Sequence, residues 1–196
     1  MHRVTFLSAI TLAASLQAQT WTIDPNHSSA QFAVRHLMVS TVRGEFDKVS
    51  GTIQYDGKDV ASLRVNATID AASVNTRVEN RDKDLRSANF FDVEKYPTIT
   101  FVSKRAQAID AGHLKLVGDL TMHGVTKEVT LDVDGPSPPV KQGAMLRTGA
   151  TATTKINRHD FNLNYSKMVE ATPIVGDDIT ITIDVEATRP IGAGSP

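Results

Sequence analysis

The sequence predicts an all-β fold: an eight-stranded antiparallel β-barrel with one short surface helix at about 76–87. Three observations carry that expectation. Apolar and polar residues alternate with a period of two in about eight separate stretches, as in strands with one buried and one wet face. Only the stretch 75–87 departs from alternation for a charged, helix-like spacing. No internal repeat divides the chain, and a long β-meander that closes on itself removes its exposed edges. A two-sheet sandwich is the rival arrangement compatible with the same pattern.

Residues 1–18 read as a signal peptide. Met1, His2 and Arg3 make a short basic start, and Val4 to Leu16 is apolar apart from Thr5, Ser8, Thr11 and Ser15. Ala18 then offers a small residue for cleavage before Gln19. The apolar run is shorter than the roughly 20 residues that cross a bilayer, and it fits the central region of a secretory signal. An uncleaved anchor or an N-terminal strand is the alternative. The expected protein is periplasmic or secreted, with a single domain at 19–190 and a loose tail at 191–196.

The elements follow in order. In 26–46, Ala30, Phe32, Val34 and His36 share one side of an extended chain, opposite Gln31, Ala33 and Arg35. Further on, Val42, Gly44 and Phe46 lie opposite Arg43 and Glu45. A short strand at 51–55 ends at the turn signal Asp56-Gly57. Leu63, Val65, Ala67 and Ile69 mark the buried face of 62–70. The charged stretch that follows places Val78 and Leu85 two helical turns apart, predicting a surface helix with a narrow buried stripe. Asn75 or Thr76 would cap it, Asp84 would sit on its surface, and Arg81 with Asp82 would form an ion pair or anchor the helix. Phe90 and Phe91 would plug one end of the sheet, and Pro97 returns the chain to extended geometry. Alternation resumes at 98–105, 113–120 and 125–133, with a hairpin turn at 121–124. A loop at 135–139 is the expected excursion. Residues 146–157 and 179–187 are the last two strands, with an irregular stretch between them.

Composition excludes several functions. The formal net charge is −1 with scattered basic residues, so a nucleic-acid partner is not expected. The absence of cysteine removes disulfides, thiolate metal sites and a cysteine nucleophile. No histidines stand at metal-ligand spacing, and no nucleophile elbow, phosphate loop or dinucleotide fingerprint occurs. His27 and Ser28 are adjacent, and neighbours on a strand point opposite ways, so they do not make a nucleophile and base. His27 reads as turn-stabilising, His123 as structural or exposed, and His159 with Arg158 and Asp160 as a polar network closing the barrel end. No catalytic residue, no metal and no required cofactor are expected.

Small residues recur on the presumed inner face: Ala30, Gly44, Ala67, Gly118, Ala150 and Ala152. An eight-stranded barrel is at the size where side chains just fill the inside or one elongated ligand replaces some of them. Vacancies would leave volume for an apolar guest, since interiors are otherwise close-packed. Filling by bulky groups from the ends is the alternative.

The residues also carry a likeness. His27-Ser28, Phe32, Val34, His36-Leu37, Ser40, Val42, Gly44 and Phe46 resemble the opening signature of the YceI-like family. The likeness continues through Arg81-Asp82, Leu85-Arg86-Ser87, Phe90-Phe91-Asp92, Tyr96-Pro97-Thr98, Gly118 to Thr121, His123 to Thr126, Ile156 to Arg158 and Asp160-Phe161. It therefore spans nearly the whole chain after the signal segment. The resemblance implies an exported, lipocalin-like barrel that binds a long isoprenoid, polyprenyl or quinone-type. Transient membrane contact and a homodimer are compatible with it. Two departures stand out: Asp84 where that family has histidine, and Asn162 where it favours glycine.

The expected ligand-binding residues combine both lines of reasoning. On the first strands they are Ala30, Phe32, Val34, His36, Gly44 and Phe46. Farther along they are Ile69, Leu85, Phe90, Phe101, Leu116, Ala152 and Ile183. An enzyme acting on such a lipid, with His36, Arg158 and His159 at the cavity mouth, is one rival. A packed structural module without ligand is the other.

Overall fold

The computed structural model describes residues 19–165 and 174–192; the expected signal segment and residues 193–196 lie outside them. In chain order the strands begin with β1 (Gln19–Ile23), β2 (Ser29–His36), β3 (Ser40–Phe46), β4 (Val49–Tyr55), β5 (Arg64–Asp70) and β6 (Val74–Asn75). Helix α1 (Glu79–Arg86) follows. The chain then forms β7 (Thr98–Asp110), β8 (His113–Met122), β9 (Val125–Asp134), β10 (Val140–Gln142), β11 (Met145–Asn157) and β12 (Val175–Pro190).

Register turns these pieces into a closed ring. One edge of β12 pairs with β2 from Asp184 to Val175 and with β1 at Ala187 and Thr188. β1 and β2 thus act as one long strand, broken between Ile23 and Ser29. Their partners β3 and β4 form a second long strand, because β2 pairs with β3 and β1 with β4. From there each strand pairs antiparallel with the next: β4–β5, β5–β7, β7–β8, β8–β9, β9–β11 and β11–β12. Counted this way the barrel has eight staves, and the ladder from Met145↔Pro190 to Asn157↔Asp178 closes it. The expected barrel is therefore the observed one, and the sandwich is not. The small strands β6 and β10 are additions outside the ring, paired with β3 and β11.

Local sequence accounts for the joins. The β8–β9 hairpin turns on His123 (φ 50°) and Gly124 (φ 75°), two consecutive left-handed residues whose twist matches that of the strands. The β2–β3 hairpin makes the same kind of turn with Leu37 (φ 49°) and Met38 (φ 58°), an unusual placement for large apolar residues. Ser28 spans the break before β2: its hydroxyl accepts from the Glu186 amide at 3.1 Å and donates to the Glu186 carbonyl. Strand β1 escapes sequence reading because Asp24-Pro25 cuts its alternation short, although Trp21 and Ile23 are both buried.

Three sequence expectations need correction. The helix starts at Glu79 rather than near 76, and its N-cap is Val78, which makes no side-chain cap bond. Thr76 is not a cap because its amide and hydroxyl are both directed at the buried Asp82 carboxylate. Val78 accordingly lies in solvent, 47% exposed, instead of on a buried stripe. Arg81 and Asp82 do not pair with each other; both grip Thr76, Arg81 donating to its hydroxyl (2.7 Å) and its carbonyl (2.9 Å). The helix-anchor reading is the right one. Finally, the segment after Gly135 is not a free excursion: Ser137 bonds the Gly149 carbonyl, and β10 follows. At the far end, the Ile191 amide still donates to the Ala144 carbonyl.

Candidate functional site

The inner faces of the staves enclose a cavity of about 630 Å³, within the roughly 300–1,000 Å³ range typical of small-ligand sites. Its lining runs from Trp21, Leu63 and Leu114 near the start of β1 to Phe90 and Leu163 near α1. The wall is aliphatic and aromatic, and period-two alternation is what produces it. Ile179, Ile181, Ile183 and Val185 of β12 face in, while Thr180 and Thr182 do not line it.

Twelve of the thirteen expected residues line this space: Ala30, Phe32, Val34, His36, Phe46, Ile69, Leu85, Phe90, Phe101, Leu116, Ala152 and Ile183. Gly44 does not. A β-carbon there would stand 2.5 Å from Cζ of Phe32 and 2.8 Å from Cγ2 of Thr76, so the space is already occupied. Gly118 behaves alike beneath Phe101. The two glycines are seats for neighbouring rings, not vacancies for a guest. Ala67, Ala150 and Ala152 do border open volume.

At the α1 end the cavity narrows into an aromatic chain. Phe32 meets Phe46 at 5.8 Å between centroids, Phe46 meets Phe91 at 5.5 Å, and Phe91 meets Phe90 at 5.2 Å. Phe90 continues to Tyr165 at 5.9 Å. These rings form the end of the cavity without closing its volume. Polar groups border the same end: Arg35, His36, Thr76, Arg81, Asp84 and Arg158. Asp84 was expected on the helix surface; it lies half-buried at the mouth, accepting from the side-chain Nδ2 of Asn89 at 2.8 Å. The helix is set by its Thr76 anchor with this turn toward the barrel.

Arg158 is buried, with 6% exposure, and every donor nitrogen is engaged. Nε donates to the Gly176 carbonyl, Nη1 to that of Leu163 at 2.7 Å, and Nη2 to Asp177 at 3.0 Å. His159 contacts the same Asp177 oxygen at 2.9 Å and Asn164 at 2.6 Å. A polar network around Arg158 and His159 thus exists, with Asp177 rather than the expected Asp160 as its carboxylate, and it stitches the 158–165 segment to the start of β12. His123 is likewise structural, against Tyr96 and the Phe161 carbonyl.

At the opposite end, Asp24, His27 and Glu186 bring three potential metal ligands within 4.8 Å of one another. A cation already holds them: Arg147 pairs with Glu186 and, at 3.0 Å, with Asp24. His27 Nδ1 donates to the Asp24 carboxylate at 2.9 Å across the turn, as its sequence position suggested. Together with the Asn26 amide and Arg147, His27 holds the Asp24 carboxyl down at about 2. The cluster pins the β1–β2 break to β11 and β12.

The description of a YceI-like domain matches residues 21–187, nearly all of the described chain. The chain belongs to the YceI-like family. Among relatives of this YceI-like protein, the UPF0312 protein of Staphylococcus aureus strain MSSA476 is 37% identical over 169 residues, 85% of this chain and 95% of that one. The YceI protein of Campylobacter jejuni is 33% identical, with a TM-score of 0.67 over 80% of this chain and 90% of its own. BcnA of Burkholderia cenocepacia (24% identity, TM-score 0.72) covers 84% of this chain and 98% of its own, and shares the fold. So does a polyisoprenoid binding domain from Saccharophagus degradans (16% identity, TM-score 0.64), over 87% of this chain and 98% of its own.

Both departures noted in the sequence of this YceI-like protein now have places. Asn162 sits at φ 56°, ending the turn Arg158–Phe161. Asparagine is among the few residues that take a left-handed backbone routinely, so it can stand where glycine is favoured. Asp84 adds an acidic group to the cavity mouth. Sequence reading missed Trp21, Arg35, Tyr165 and Arg189 as lining residues. For Arg189 the signal was present: it continues the inner stripe of β12 after Ile183, Val185 and Ala187.

Proposed function

We propose that this protein binds and carries one long-chain isoprenoid lipid, polyprenyl or quinone-type, in the barrel cavity, and that it does so after export to the periplasm. The single observation behind this reading is an apolar cavity that persists along the barrel. A packed interior would leave no such volume. The fold shared with a polyisoprenoid binding domain supports the same class of guest.

Energetics favour a carrier over a trap. An isoprenoid leaves a bilayer rather than water, so burying its chain changes little apolar exposure. Shape and a few polar contacts at the ends then set the balance, and transfer in both directions stays feasible. Turnover is the weaker reading, because Arg158 and His159 are committed to the Asp177 network.

Loading takes place at a membrane in this proposal. The β2–β3 tip exposes Leu37 (41%), Met38 (57%) and Val39 (77%) beside the mouth bordered by His36 and Val42. Residues 29–44 contain Arg35 and Arg43 and no acidic residue, a charge suited to an anionic bilayer surface.

Native mass spectrometry of protein purified without detergent tests the binding role. A lipid adduct whose mass matches an isoprenoid in the solvent extract is expected. A clean apo mass, with no uptake of a polyprenyl probe from vesicles, overturns it. Flotation with anionic vesicles tests the tip: Met38→Asp should lose binding, and self-association through the tip, without vesicle binding, would overturn the membrane role.

A further inference from the structure

The inward stripe of β12 is aliphatic from Ile179 to Ala187 and then ends on a guanidinium, Arg189. Arg189 lines the cavity at the end remote from α1, in company with Gln19, Trp21 and Tyr55. Its carbon Cζ lies 5.0 Å from the centre of the Trp21 ring, and Trp21 itself is only 5% exposed. The guanidinium therefore lies within cation–π reach of an aromatic wall.

Its hydrogen bonding is incomplete. Nη1 donates to the carbonyl of Pro190 at 3.2 Å, while Nε is buried and has no partner. The contrast with Arg158, whose donors are all engaged, is direct. The carboxylates of this end have other partners: Arg147, not Arg189, binds Asp24 and Glu186, and Asp56 and Asp59 accept from the backbone amides of Lys58, Asp59 and Ala61. A buried donor on a cation without an acceptor is costly, and such a group calls for a missing partner.

We infer that the Arg189 end of the cavity is a head-group subsite for an oxyanion, a carboxylate or a phosphate, carried by the bound lipid. The inference rests on the reading that a lipid occupies the cavity, and it adds that acidic lipids are preferred over neutral ones. An oxyanion beside Arg189 supplies the acceptor that Nε lacks, in a charge-assisted bond stronger than a neutral one. It also fixes orientation, with the acidic head toward β1 and the chain running toward the aromatic cluster of Phe46, Phe90 and Phe91.

The test compares cis-parinaric acid with its methyl ester by fluorescence titration at pH 8, using full-length mature protein freed of co-purified lipid. The acid should bind roughly tenfold tighter than the ester, as one added charge-assisted contact predicts. Arg189→Gln should bring the acid-to-ester affinity ratio close to one, and Arg189→Lys should restore part of the preference. Near-ultraviolet circular dichroism of Trp21 monitors folding of each variant. Farnesyl phosphate against farnesol repeats the comparison for phosphate. Equal affinity of acid and ester for the wild type, or a preference that survives in Arg189→Gln, overturns the subsite alone. Failure of both members of each pair to bind overturns the lipid reading itself and the subsite with it.

Discussion

Phe101 lies over Gly118 so closely that a β-carbon at 118 would stand 2.6 Å from Cζ of the ring and 2.5 Å from the Val102 carbonyl oxygen. The ring covers a gap in the adjacent strand, β8, and its own neighbour in register is Leu120. Gly118→Ala forces ring and backbone apart at once. It should lower stability by about 1–3 kcal/mol, the usual range for overpacking a core. Urea denaturation checks it, and an unchanged midpoint would show that the ring moves freely.

Ala152 faces Val133 and Ile183 in register and borders open volume rather than a seated ring. Ala152→Phe therefore fills space instead of displacing protein atoms. The melting temperature should hold or rise, while retention of a polyprenyl probe falls at least about tenfold, equivalent to about 1.4 kcal/mol. Gly118→Ala and Ala152→Phe together separate a seat from a vacancy, two roles that look identical in the sequence.

Asp82 is buried at 6% exposure and receives both the amide and the hydroxyl of Thr76. Asp82→Ala strands those buried donors. The expected loss is about 1–3 kcal/mol, the cost of unsatisfied buried polar groups. Hydrogen exchange should show α1 opening before the barrel, since the anchor ties the helix to the β6 end. Uniform loss of protection across all strands would contradict a local role.

Acid should weaken the β1–β2 break through Asp24. Its carboxyl is lowered from 3.8 to about 2, chiefly by His27, then by the Asn26 amide and Arg147. A folded-state value below the unfolded one contributes stability that is fully present above about 3.8 and lost as pH falls through about 2. Stability measured from pH 5 to pH 1.5 should thus fall more steeply in the wild type than in Asp24→Asn, with the two curves converging at the acid end. Parallel curves would remove Asp24 from the acid response.

Much of this was legible along the chain because a strand displays its burial every second residue. The stripes Ile179 to Val185, Leu63 to Ile69 and Ala30 to Val34 needed no partner to be recognised, and eight of them already implied closure. Motif likeness extended the reading to the family. Other features depend on what crosses over from a different element. Gly44 and Gly118 looked like holes until Phe32 and Phe101 were found above them. Asp84 looked like surface until the Thr76 anchor set the rotation of α1. The unpartnered Nε of Arg189 depends on Arg147 having taken the carboxylates nearby. Alternation records which side of a strand is buried, and that much belonged to the sequence alone. Whether the buried side meets a ring, a void or a missing acceptor is a property of distance between strands remote in sequence, and only the closed barrel could decide it.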